Sequence, residues 1–451
     1  MLTRRRVLGY SALAPAMLAS RPLLHPADAQ TPGASSQAPL RLAIIGSTYH
    51  YGSDLQTIAD RFLVGYPHNG DWHMPNVKVV SMYVEPRPRV NQRLPPSGPI
   101  PAAALSTEHD SRPSPDLSAG RAKEFGFRLF PTIPEALRGG GDGLAVDAVL
   151  AVVEQRDYPR NQKGQVLYPR YDFFQQCVQV FEEDGRAVPY FNHQSLSFSF
   201  RQAQSMVATS ERLKFPMLAG SSLPVTWRLP DIDIPIGAQI QEAVMVCPFN
   251  GMEFDALEAM QCMLERRKGG ETGVKAVQLL EGDEVWAGGE SGRWSKELLS
   301  SALSRSDAPL GLTVVDGRMQ DMANSGVLPQ LVKDPAAYCI EYNDGTRATL
   351  LMLNGADNDF TFSARVAGHG LIATQFFRSP APNVAYSASL TAKVEQMFMT
   401  RTAPYPVRRT LLTTGILEAG VNSRAHLNQR LETPQLAVRY QPPVESQYAR
   451  T

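Results

Sequence analysis

Cysteine is scarce and unpatterned in this chain. Cys177, Cys247, Cys262 and Cys339 are four residues in 451, with no C-x-x-C pair among them. That spacing gives no zinc-ribbon or thioredoxin-type motif and leaves four small buried hydrophobes as the plain expectation. An excess of charge of one sign is also missing. Lysine plus arginine and aspartate plus glutamate number 44 each, so no global charge draws the chain to nucleic acid or an acidic partner. No apolar run approaches the roughly 20 residues that a membrane-spanning helix requires. Internal repeats and low-complexity tracts are absent. Gly220-Ser221-Ser222 lacks the G-x-S-x-G pattern of a nucleophile elbow. The loop His68-Asn69-Gly70-Asp71-Trp72-His73 matches no metal-ligand spacing, so no metal is expected.

What is present begins with an address. Thr3-Arg4-Arg5-Arg6-Val7-Leu8 places paired arginines ahead of a modest apolar core, and Ala27-Asp28-Ala29 supplies a small-x-small cleavage site. Residues 1–29 are therefore expected to be a twin-arginine signal, which predicts a periplasmic or extracellular protein. Residues 30–39 are expected to be a linker. At this length two domains with sizeable cores are expected, divided into 40–229 and 230–451 near Pro224, Pro230 and Pro235.

The first domain opens on Leu42-Ala43-Ile44-Ile45-Gly46-Ser47-Thr48-Tyr49. A buried parallel strand ends at Gly46. Ser53-Asp54-Leu55-Gln56 then reads as a capping box, and Leu55, Ile58, Ala59, Phe62 and Leu63 form one apolar helix face. Strand, glycine turn and helix make a nucleotide-binding start, because phosphate sits on free amides at a helix N-terminus. Gly46, Ser47, Thr48 and Tyr49 are the candidate cofactor turn. Thr48 and Tyr51 stand where a dinucleotide fingerprint wants glycine, and Gly52 falls one place late. A short loop is expected before the strand Val77–Val84. Glu85 at its end reads either as an acceptor for ribose hydroxyls or as an exposed strand-end acid.

Residues 86–115 hold eight prolines and read as an extended arm. Alternation resumes with a helix over 117–125 and a short strand over 127–130. Thr132 caps the next helix, and strands follow over 146–153, 187–191 and 215–219, with helices over 173–182 and 201–213 between them. Val153 and Glu154 end the fourth strand, where cofactors lie. Asp157 just beyond reads as a sugar contact or a solvated loop residue. Asn192-His193-Gln194-Ser195 follows the fifth strand. Trp227-Arg228 reads as a sugar-stacking pair or as packing at the domain boundary. Beyond it the pattern becomes a helix over 255–267 with strands over 337–342, 346–353 and 360–366. Asn343-Asp344-Gly345 marks a hairpin, and closing helices are expected over 392–399 and 409–422. The predicted class is an α/β Rossmann-like parallel-sheet domain followed by an α+β domain with an open, mostly antiparallel sheet.

This order of elements resembles the glucose–fructose oxidoreductase, inositol dehydrogenase and MocA-like family. The resemblance is carried by Ala43-Ile44-Ile45-Gly46, by Val146-Asp147-Ala148-Val149-Leu150, and by the stretch from Arg401-Thr402-Ala403-Pro404-Tyr405-Pro406 to Glu432-Thr433-Pro434. It implies NAD or NADP as cofactor and a sugar or polyol as substrate. It also implies a homodimer or homotetramer formed through the C-terminal sheet. The family's Glu-Lys-Pro after the fifth strand is replaced here, with Gln194 matching the lysine. Glutamine carries no charge and cannot move a proton, but it can hydrogen-bond a hydroxyl. His193 could take over proton transfer, and Asn192 is a substrate contact by position. The second-domain histidine is replaced too. Glu253 or Asp255 could act as base there, with a helix N-cap as the plain alternative for Asp255. Three readings stay open: an exported oxidoreductase, a catalytically degenerate binding or assembly protein, and an NAD-dependent glycosidase.

Overall fold

A computed structural model describes residues 38–86, 115–154, 156–307, 314–315, 318–319, 322–380 and 383–450. The expected leader and nearly all of the proline-rich arm lie outside the described residues. The chain enters at β1 (Leu40–Gly46) and α1 (Asp54–Val64), then forms a hairpin of β2 (Tyr66–His68) and β3 (Asp71–His73) before β4 (Val77–Val84). Alternation continues through α2 (Ser118–Phe125), β5 (Arg128–Leu129), α3 (Ile133–Arg138), β6 (Ala148–Val152) and α4 (Arg170–Glu183). It ends with β7 (Tyr190–His193), α5 (Phe200–Leu213) and β8 (Met217–Gly220). The sheet order is β5-β4-β1-β6-β7-β8 and every pairing is parallel.

Two helix starts follow directly from sequence. Ser53 is the N-cap of α1, its hydroxyl accepting from the Gln56 amide, and Leu55, Ile58, Ala59 and Phe62 are buried below it. Thr132 caps α3 in the same way, and Gly139 closes that helix at φ 61°. The stretch after α1 differs from the expected loop. Asn69 and Gly70 both take positive φ, which is the two-residue turn that closes β2 onto β3.

The second sheet draws on β9 (Arg228–Leu229) and β10 (Ile240–Cys247), followed by α6 (Glu253–Leu264), β11 (Val274–Glu281), α7 (Asp283–Glu290) and α8 (Lys296–Leu303). A small pair, β12 (Val314–Val315) and β13 (Arg318–Met319), and a short α9 (Leu328–Leu331) precede β14 (Ala336–Tyr342), β15 (Arg347–Met352), β16 (Phe360–Val366) and β17 (Gly370–Phe376). Helices α10 (Ser387–Thr400) and α11 (Arg408–Ala425) and strand β18 (Leu431–Glu432) complete it. The order is β18-β11-β14-β15-β10-β16-β17-β9, antiparallel except for β10 on β15. The Asp344-Gly345 hairpin joins β14 to β15 as expected.

Both faces of this sheet carry helices. Met245, Phe360 and Phe362 share a core with Leu257, Leu412 and Ile416, from α6 and α11. On the other face Val244, Val246 and Leu351 pack with Leu298, Leu299 and Ala302 of α8. The chain then returns to its beginning: Leu390, Val394, Met397 and Phe398 of α10 share a core with Leu42 and Ile44 of β1. All four cysteines are buried and unpaired, as small hydrophobes. Among the described residues no helix is long and apolar enough to cross a membrane.

Candidate functional site

Parallel register sets the site. Gly46 lies opposite Val84 on one side and Val152 on the other, so Ser47, Glu85 and Val153 emerge together at the carboxyl ends of their strands. Ligands of open α/β sheets bind at this edge. Gly46 is required by packing, because a Cβ there would stand 2.3 Å from Leu55 Cδ2 of α1. The turn after it is closed upon itself. The Ser47 hydroxyl donates to the Glu154 carbonyl (2.6 Å) and accepts from the Glu154 amide (2.9 Å), and the Thr48 hydroxyl donates to the same carbonyl (3.3 Å). Tyr49 is fully buried and gives its hydroxyl to Asp60.

Several amides between the turn and the first turn of α1 already have partners. The His50 and Gln56 amides donate to Ser53 Oγ (3.2 and 3.1 Å), Gly52 to Gln56 Oε1 (2.7 Å), and Ser53 to the His50 carbonyl (3.1 Å). Asp54 adds a carboxylate at the first position of α1, where an anion would approach. Glu85 is held by the chain as well: Tyr158 donates to it at 2.5 Å and Arg156 pairs with it at 2.9 Å. Arg156 also donates to the Glu85 and Pro86 carbonyls. The limb that follows β6 thus closes on Glu85. Val153 is buried in the core beneath it, and Asp157 is exposed on that limb.

The opposite end of the site is built on β7 and β8. β7 runs on through Asn192 and His193 instead of stopping at 191 as expected, so His193 is buried in the sheet. Burial first, then the charge of Arg170, pushes its pKa down to about 3. Burial thus favours the neutral imidazole, which counts against the expected role as proton carrier. Asn192 is likewise corrected from substrate contact to positioning residue. It is 1% exposed, and its amide donates to the carbonyls of His193 and Ser195, both at 3.0 Å. This staple holds the turn in which Gln194 takes φ 63°, a left-handed conformation uncommon for a residue with a Cβ. The Gln194 amide donates to the Gly220 carbonyl at 3.0 Å, and its side chain donates to both Asp255 carboxylate oxygens at 3.2 and 3.3 Å.

Asp255 is therefore not the helix cap. α6 begins at Glu253 with Met252 in the cap position, and Asp255 sits in the first turn facing the first sheet. Burial pushes its pKa up to about 6, against the lowering pull of Gln194. Two further carboxylates share this region. Glu154 is pushed up to about 7 by burial although Arg170 pairs with it, and Asp54 to about 7 by burial and then by Asp255. Arg170 also donates to Ser195 Oγ at 2.7 Å, and its guanidinium stacks on Tyr168. Arg378 lies over Phe249 and Tyr386 and draws the pKa of both Asp54 and Asp255 downward.

Sequence reasoning missed Asp54, Arg170, Arg378 and Tyr386, because each reaches the site by tertiary packing. The order of charges after the Ser53 cap was the one signal available for Asp54. Trp227 and Arg228 stand apart from the site. Trp227 packs edge-on against Phe377. Arg228 is buried, pairs with Asp233 at 2.9 Å and stacks on Tyr448 at 3.9 Å, so it has no donor reach to a sugar. His68 and His73 do come together, with ring centroids 5.9 Å apart, and His73 bonds Glu395. Among the described residues, no group of three histidine, cysteine or acidic side chains is placed to hold a metal.

The raised acids make stability depend on pH. Asp54 has a folded-state pKa above its ordinary 3.8, so its contribution is fully present below that value and is lost as pH rises through about 7. Asp54→Asn should therefore raise the melting midpoint at pH 8, by the equivalent of about 1–2 kcal/mol given solvent access to a half-buried acid. The gain should vanish near pH 4. Melting curves of the two proteins that run parallel across this range would refute the assignment.

No protein-family model matches the chain, and no curated protein is detectably similar in sequence. Its fold does match solved structures. GenD2 from gentamicin A biosynthesis, in complex with NAD, aligns with a TM-score of 0.50 at 12% identity over 89% of this chain and 98% of that one. A probable dehydrogenase from Thermotoga maritima gives 0.48 at 11% identity, over 88% and 100%. Myo-inositol dehydrogenase from Lactobacillus casei, in complex with NAD(H) and myo-inositol, gives 0.47 at 10%, over 88% and 97%. At such identities the likeness is one of fold.

Proposed function

We propose that the protein is an exported binding protein built on this dehydrogenase fold. It holds a sugar or polyol at the carboxyl ends of β1, β6, β7 and β8 and does not transfer hydride. The observation that carries the reading is the Gln194–Asp255 contact. It joins a strained turn of the first sheet to a helix of the second and sets a donor beside an acceptor, as a hydroxyl requires. Gln194 can donate to a substrate oxygen while Asp255 accepts the hydroxyl proton's hydrogen bond. Neither the neutral His193 nor Gln194 can complete a proton relay.

A dinucleotide is the group this fold implies, and the residues present do not fit one. The Gly52 and Gln56 amides are bonded within the turn, Asp54 stands at the first position of α1, and Glu85 is paired with Arg156 and hydrogen-bonded by Tyr158. The retained Gly46–Leu55 contact favours a second reading, an NAD(P)-dependent oxidoreductase in which the 156–158 limb swings away. The twin-arginine leader supports export, and absence of the mature chain from a periplasmic fraction would remove that part. Binding is tested by calorimetric titration with myo-inositol and glucose. The expected result is saturable binding that Gln194→Ala weakens about tenfold, the loss of one to two hydrogen bonds to a charged group's neighbour. Binding that is unaffected by Gln194→Ala would place the ligand elsewhere.

A further inference from the structure

Resting on the binding reading above, we propose that Arg170 is a positioning residue that couples the two ends of the sheet edge: it holds the Gln194 turn in its binding shape only while the Gly46 turn is closed.

The coupling runs through one residue, Glu154. Its backbone amide and carbonyl close the Gly46 turn by holding the Ser47 hydroxyl at 2.9 and 2.6 Å, and its carboxylate takes one arm of the Arg170 guanidinium. The other arm donates to Ser195 Oγ at 2.7 Å, directly after Gln194. Arg170, Glu154 and Ser195 are all buried, so these charge-assisted bonds are shielded from water. The guanidinium also rests on Tyr168, 4.4 Å from the ring centroid, which fixes the plane of its fork.

The turn that Arg170 grips needs outside support. Gln194 takes φ 63°, and strain of that kind persists only where the surroundings over-determine it. Asn192 holds the His193 and Ser195 carbonyls, the Gly220 carbonyl receives the Gln194 amide, and Thr414 Oγ1 receives the Leu196 amide at 3.2 Å. Those bonds fix backbone atoms from β7, β8 and α11. Arg170 supplies a restraint from the opposite side, from α4 and the end of β6. Because β1, β6, β7 and β8 are consecutive in the sheet, the bonds form one line across its edge. It runs from Ser47 to Glu154, to Arg170, to Ser195, and from the adjoining Gln194 to Asp255. Opening the Gly46 turn frees Glu154 and slackens Arg170, and Gln194 then loses its alignment with Asp255. By reciprocity, a ligand held on Gln194 tightens the Gly46 turn.

The test is hydrogen exchange of the full chain, followed by mass spectrometry over 44–56 and 190–198, with 360–376 as the reference segment. Ser47→Ala breaks the closure of the first turn; Thr48→Val serves if that variant does not fold. The expected result is exchange about tenfold faster in both segments, the effect of one lost buried hydrogen bond, and an unchanged reference. In a Ser195→Ala background the same substitution should speed 44–56 alone, because the link is already cut. Ser195→Thr, which keeps the hydroxyl, should restore the joint response. An effect confined to 44–56 in the parent chain, or one that still reaches 190–198 without the Ser195 hydroxyl, would overturn the coupling. Calorimetric titration with myo-inositol separates this from the binding reading. Ser195→Ala should weaken binding about fivefold. Binding equal to the parent's would overturn the positioning role and leave the binding reading standing. Binding by neither chain would count against the binding reading, and the exchange result then decides the coupling alone.

Discussion

Gly220→Ala should cost about 2–4 kcal/mol and loosen the Gln194 turn at the same time. Gly220 takes φ +124°, outside the range that a side chain tolerates, and its added Cβ would stand 2.3 Å from Glu258 Oε2. Glu258 cannot simply withdraw. It is fully buried and bonded by Thr413 at 2.7 Å, within the contact that joins α6 to α11. The carbonyl of the same glycine receives the Gln194 amide, so its displacement propagates to the residue that meets Asp255. Chemical denaturation measures the stability loss. A variant within 0.5 kcal/mol of the parent, roughly the scatter of neutral surface changes, would show that the strand end is not constrained as described.

Arg409→Met is expected to be more damaging, by about 3–5 kcal/mol, because it leaves a buried carboxylate without its counter-ion. Arg409 donates to both Glu265 oxygens at 2.8 and 2.6 Å and stacks on Tyr405, and both partners are buried. Tyr440 supplies a further hydrogen bond to Glu265 at 2.9 Å but no charge. The double replacement Arg409→Met with Glu265→Leu should recover most of the loss, since apolar residues of similar volume remove the desolvation cost with the pair. A double variant no more stable than the single would mean that shape, and not charge, decides this α6–α11 contact.

These effects show what could be read from sequence and what could not. The parallel sheet was legible because its strands are short apolar runs, such as Leu42–Ile45, closed by glycine or followed by capped helices. The second sheet was legible at its Asp-Gly hairpin. β17, α7 and α8 were missed because their apolar positions are few and mark no clear period. The small hairpin over 66–73 was passed over although Asn-Gly announces it. At the site, Gly46, Glu85 and Glu154 could be picked out from strand order, and Gln194 and Asp255 from the family resemblance. Their working partners could not. Arg156 and Tyr158 close on Glu85 from some 70 positions away, and Gln194 meets Asp255 across 61. Contacts of that kind are fixed by packing, and so local pattern left open whether Asp255 was a base or a cap and whether Trp227-Arg228 met a sugar or packed at the boundary.

The central proposal is that the Gly46 turn is closed by the chain's own side chains and holds no dinucleotide. Native mass spectrometry of the full chain, as isolated and then after incubation with millimolar NAD or NADP, tests it most directly. The account predicts a mass equal to the polypeptide alone before incubation and no dinucleotide adduct afterwards. A stoichiometric adduct of NAD or NADP, in either sample, would contradict it.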